Sequence, residues 1–94
     1  GRIVTINDFR VDVDPHARIL VMPHINRPGV IGTIGSIMGN SHINISGMQV
    51  GGTKDQETNL MVLTIDDDIP ENVVETIKSL DGIFDAKLVN FYAI

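Results

Sequence analysis

The sequence predicts an α+β domain: an antiparallel sheet with two helices on one face, entered through a short hairpin. Three observations carry that expectation. Segments of period-two and period-3.6 apolar patterning alternate along the chain. Pro, Gly, Asn and Asp stand between those segments, where turns are needed. The chain has 94 residues, enough for one domain with a modest core.

The first segment, "RIVTINDFRVDVDP", alternates, with Val4 and Ile6 in one phase and Phe9, Val11 and Val13 in the other. The phase slips at Asn7-Asp8, which predicts a hairpin or a bent strand, and Asp14-Pro15 ends it. "ARILVMPHI" is a nearly unbroken apolar run and reads as a strand buried on both faces. In "RPGVIGTIGSIMGN", Val30, Ile31, Ile34, Ile37 and Met38 fall at helical spacing, and Gly39-Asn40 supplies a stop. Gly32, Gly35 and Gly39 lie together on another side of that helix. Their expected role is to let it approach a sheet or a neighbouring helix closely.

"INISGMQVGG" alternates as a strand, with a phase slip at Ser46-Gly47 that predicts a β-bulge. "GGTKDQETN" reads as a polar hairpin loop and "LMVLTI" as a strand. "DDDIPENVVETIKSL" reads as a helix with acids crowding its start, Pro70 in its first turn, and a stripe of Val73, Val74, Ile77 and Leu80. Asp81-Gly82 breaks it, and "IFDAKLVNFYAI" is the last strand. After the hairpin the order is β-α-β-β-α-β, the ferredoxin-like split βαβ arrangement, whose right-handed crossovers put both helices on one face. Several strands nevertheless carry apolar residues in both phases, which predicts that the helix-free face packs on something, most simply a second copy.

Composition narrows the function classes. The formal net charge is −5, which disfavours nucleic acid and anionic membrane as partners. With no Trp and one Tyr, a base-stacking platform is not expected. There is no Cys, which excludes thiolate chemistry and is compatible with a reducing compartment. No apolar run reaches the length of a membrane span, and "GRIVTIND" does not read as a signal peptide. No two histidines stand at a metal-ligand spacing with carboxylates, so no metal site is expected. The "DDD" of Asp66 to Asp68 lacks the Gly and distal Glu of an EF-hand and better fits a helix start.

Two function classes compete. A standalone enzyme on this fold, such as an acylphosphatase, needs a phosphate cradle, and "HINRPGV" has one Arg but no Gly-rich loop. A binding module needs only a site for a small charged solute, and the same stretch offers one. A helix start favours a carboxylate, here through the amides of Gly29, Val30 and Ile31, with Pro28 fixing the entry. Asn26 and Asn44 can accept from an ammonium, and His24 can donate to or accept from a hydroxyl. A site that pairs with a hydroxyl rejects the analogue lacking it. The plainer alternatives are an edge residue for His24, a helix cap or Asx-turn for Asn26, a solvent-facing strand residue for Asn44 and a surface charge for Arg27.

The βαββαβ order, "NRPGVIGTIGSIMG", "HINISGMQVGG" and "IPENVVETIKSLDGIFDAKLV" together resemble an ACT domain. Within that family the likeness is to the C-terminal regulatory domains of D-3-phosphoglycerate dehydrogenases, with the ACT domain of the iron-sulfur L-serine dehydratase β-chain as the competitor. The resemblance implies L-serine or another small amino acid as effector, bound between two ACT domains of a homodimer, with the catalytic domains of a parent enzyme as the further partner. It implies effector contacts at His24, Asn26, Pro28, Gly29, Val30, Ile31 and Asn44, the last reaching the ligand from the partner subunit. It implies no catalytic residue and no cofactor in this domain, NAD in the catalytic part of the parent, and a cytoplasmic setting. Residues 1–15 are expected to close a preceding domain, and residues 16–94 to form the ACT domain.

Overall fold

The structure, a computed structural model, describes residues 2–6, 9–13, 18–52 and 57–90. Strands β1 (Arg2–Ile6) and β2 (Phe9–Val13) pair antiparallel in a two-stranded sheet of their own, from Arg2↔Val13 to Ile6↔Phe9. That register realises the expected hairpin. The proposed turn at Asn7-Asp8 and the stop at Asp14-Pro15 lie outside the described residues.

The second sheet is built from β3 (Arg18–Ile25), β4 (Ile45–Gly52), β5 (Thr58–Ile65) and β6 (Lys87–Asn90), in the order β4-β5-β3-β6. All neighbours are antiparallel. Helices α1 (Val30–Asn40) and α2 (Glu71–Lys78) complete the βαββαβ order. The ladder slips between Ile45 and Gly47, the bulge that the broken alternation predicts. Of the polar loop after β4, residues 53–56 lie outside the described residues, as do 91–94.

The sheet's parity shows why both phases are apolar. Leu20, Met22, Met61 and Leu63 join one core with Ile34 and Met38 of α1 and Val73 and Ile77 of α2, which places both helices on the same face. The opposite parity holds Ile19, Leu60 and Val62, which are 0%, 1% and 2% exposed. The centre of this face is buried within one chain, so its apolar residues do not by themselves call for the second copy expected there.

Pro23 sits in a central strand, where a missing N–H ordinarily breaks a ladder. Its carbonyl accepts from the Phe84 N–H at 2.9 Å, and the β3–β6 ladder has already ended at Val21↔Lys87. Because a strand residue points its N–H and C=O to the same side, the proline faces the loop before β6 and spares the β5 ladder.

Three other expectations change. Ile31 is 42% exposed and does not join the core, which α1 meets through Ile34 and Met38. A Cβ added at Gly32, Gly35 or Gly39 meets nothing within 4 Å, so these glycines do not serve close packing against the sheet or α2. The helix ends at Asn40, at the expected Gly39-Asn40 stop, and the left-handed residue just beyond it is His42, at φ 59°. Finally, α2 begins at Glu71 behind an extended Pro70, which precedes the first turn instead of standing in it. Asp66 to Asp68 therefore belong to the β5–α2 connection, not to a helix start. No described helix is long and apolar enough to cross a membrane.

Candidate functional site

The end of β3, the start of α1 and the turn after α2 meet at one corner of the domain. His24 lies on the helix-facing parity of β3 and is 1% exposed. Its Nδ1 stands 3.0 Å from the Ile25 carbonyl oxygen. A carbonyl can only accept, so Nδ1 carries the hydrogen, and in the neutral imidazole Nε2 is left as an acceptor. Nε2 is buried and has no partner among the described residues. Leaving such an atom unpaired costs about 1–3 kcal/mol, so its occurrence here calls for a reason.

The chain then leaves the sheet. The Asn26 N–H donates to Glu57 O at 2.9 Å, and its Oδ1 accepts from Asn59 Nδ2 at 3.3 Å. The cap reading of Asn26 fails, because the N-cap of α1 is Gly29. Gly29 is left-handed at φ 93°, a conformation that favours glycine, and its carbonyl accepts from both the N–H and Oγ1 of Thr33 at 3.0 Å. No side chain caps the helix, and its first turn holds no acid. The amides at the start of α1 thus keep their positive end open to an anion. Arg27, exposed, forms an ion pair with Asp81 at 3.3 Å.

Between these elements lies a cleft of about 240 Å³. Arg27, Pro28, Gly29, Val30, Thr33 and Ile34 line one side, and Leu80, Asp81 and Ile83 the other. Drug-sized sites run from roughly 300 to 1,000 Å³, so this space suits a solute no larger than an amino acid. Ile83 also bridges to His24.

The residues singled out from sequence divide into two groups. Pro28, Gly29 and Val30 line the cleft; His24 lies buried at the neighbouring end of β3, bridged through the backbone to the lining residue Ile83, while Asn26 and the exposed Ile31 stand outside the lining. Asn44 lies at the other end of the sheet: it precedes Ile45, which is level with Ile65 and Arg18, whereas His24 is level with Asn59. Six residues of strand separate the two levels, roughly 20 Å. A single chain does not bring Asn44 to the corner. Sequence reasoning missed Leu80, Asp81 and Ile83, the Asn59 partner of Asn26, and the Asp66 and Asp67 partners of Asn44. The "DG" after the second helical stripe marked a turn but not its contact with the start of α1.

Known proteins offer three points of comparison. The family model described as the ACT domain matches residues 18–82. A D-3-phosphoglycerate dehydrogenase of Archaeoglobus fulgidus is 40% identical over 90 residues, and one of Synechocystis 36% identical over 88; each alignment spans 94% of this chain. The chain covers only 17% and 16% of those relatives. Among solved structures, a homoserine dehydrogenase from Thiobacillus denitrificans superposes with a TM-score of 0.64 over 80% of this chain and 17% of its own, at 23% identity. The ACT domain of a Chlorobium tepidum GTP pyrophosphokinase gives 0.62 over 79% of this chain and 97% of its own, at 13% identity. At those identities the likeness is one of fold.

Proposed function

We propose, from the premise that this chain belongs to the ACT domain family, that it is an amino-acid-binding regulatory domain whose effector is L-serine. Its parent is a D-3-phosphoglycerate dehydrogenase under feedback from serine biosynthesis. The relatives support that parent over the dehydratase alternative. NAD and the catalytic residues belong to other parts of the parent, which works in the cytoplasm. Residues 1–15 close the domain that precedes this one, and residues 16–94 form the effector-binding domain.

Two observations carry the reading: the buried Nε2 of His24, which has no partner among the described residues, and, five residues further on, a helix start with no side-chain cap. The ligand carboxylate sits at the amides of Gly29, Val30 and Ile31, where the helix dipole favours it. The side-chain hydroxyl donates to Nε2 and relieves its unpaired state. Asn26 and the partner copy's Asn44 accept from the ammonium. The roughly 20 Å between Asn44 and His24 supports a two-copy site, since one chain cannot supply both contacts. A ligand that bridges two copies favours one relative arrangement of the pair. It regulates the parent only to the extent that it binds that arrangement more tightly than the other.

Isothermal titration of the chain with L-serine and L-alanine tests this. L-serine is expected to bind at least tenfold more tightly, because L-alanine leaves Nε2 unpaired. Equal affinities would refute the role of His24.

A further inference from the structure

We propose that Asp66 is a positioning residue: it turns the Asn44 carboxamide so that this group reads the ammonium of the bound amino acid and not its carboxylate. The proposal rests on the reading of Asn44 as an effector contact and adds the residue that gives that contact its polarity.

Asp66 to Asp68 stand between Ile65, the last residue of β5, and Glu71, the first of α2. Their three carboxylates are exposed yet committed. Asp66 Oδ2 accepts from Asn44 Nδ2 at 2.8 Å, and Asp67 Oδ2 from the Asn44 N–H at 3.4 Å. The Asp66 N–H donates to the Asn44 carbonyl at 3.3 Å. Asp68 Oδ1 holds Arg18 Nε at 2.7 Å. Asn44 is therefore gripped at its backbone N–H, its backbone carbonyl and its side-chain amide by the residues just beyond β5.

The grip decides which way the carboxamide faces. An ionised carboxylate can only accept, so the NH2 of Asn44 must face Asp66 and Oδ1 must face away. An oxygen held outward meets a donor, and the ammonium of an amino acid offers three. The charge of Asp66 behind the amide favours the ammonium further and disfavours a carboxylate at the same place. The start of α1, with no acid in its first turn, has the opposite preference. A ligand between the α1 start of one copy and Asn44 of another is thus read at both ends in a single orientation.

The test compares L-serine with L-glycerate, which keeps the carboxylate and hydroxymethyl group but carries a hydroxyl in place of the ammonium. Both are titrated into the 94-residue chain, glycerate by displacement of L-serine, and into Asp66→Asn and Asp66→Glu. The neutral amide of Asp66→Asn can face Asn44 with either its oxygen or its nitrogen, so it no longer enforces the orientation. Asp66→Asn is expected to bind L-serine on the order of tenfold more weakly, and to change glycerate affinity less than twofold. Asp66→Glu, which keeps the charge, is expected to recover most of the loss. An equal fall for both ligands, or no fall for L-serine, overturns the role of Asp66 while leaving the site intact. Absence of L-serine binding by the unaltered chain overturns the reading of the site itself, and this proposal with it.

Discussion

Gly82 closes the turn that ties α2 to the end of β3, and its replacement by alanine tests that clamp directly. Its φ is +92°, and its carbonyl accepts the Ile25 N–H at 2.7 Å. An added Cβ falls 2.8 Å from Ile25 Cγ2 and 3.9 Å from Val30 Cγ2. Holding alanine left-handed costs about 1–2 kcal/mol. Ile25 is β-branched and stiff at χ1, so the methyl is accommodated by moving backbone, at about 1–3 kcal/mol. The lower entropy of the unfolded alanine chain returns about 0.4–1 kcal/mol. The net expectation for Gly82→Ala is a loss of about 1–4.5 kcal/mol, or at least about 4 °C in melting temperature for a domain of this size. Thermal melts followed by circular dichroism measure it. Gly52→Ala serves as the internal control, since its Cβ would lie in ordinary contact, 3.8 Å from Asn59 Oδ1. A drop below about 4 °C for Gly82→Ala would show that the turn yields freely and that the corner is not clamped as described.

Two further outcomes follow from the same kind of accounting. His24→Leu removes one made hydrogen bond and one buried unpaired acceptor; the two nearly cancel, leaving stability equal or higher by about 1 kcal/mol while L-serine binding is abolished. A loss above about 2 kcal/mol in chemical denaturation would show that Nε2 has a partner in solution. Gly35→Ala places a methyl in open space on α1 and is expected to raise stability by about 1 kcal/mol through helix propensity. A fall in melting temperature would mean that another surface packs there.

Local patterning made much of the fold legible. The phase slip at Ser46-Gly47 was visible because a bulge shifts every following side chain by one, and the continuous run in β3 marked a strand covered on both faces. The role of Gly32, Gly35 and Gly39 was not legible: a helical wheel says which residues share a face but not what stands opposite. Asp66 to Asp68 misled for a related reason. Acids near a helix start fit the dipole, yet these lie ahead of Pro70 and meet Asn44 and Arg18 through the pairing of β5 with its neighbours. The segment from His24 to Ile31 could be read because it is contiguous. Leu80, Asp81 and Ile83 could not, because only tertiary packing brings that turn against the start of α1.

The placement of His24 and Asn44 at opposite ends of one sheet also governs how affinity depends on dilution. If each site takes its corner from one copy and its Asn44 from another, the measured constant for the effector contains the concentration of the protein. Dilution then weakens apparent binding with no change at any contact. By mass action, effector in solution holds the pair together by the same factor that pairing tightens the effector.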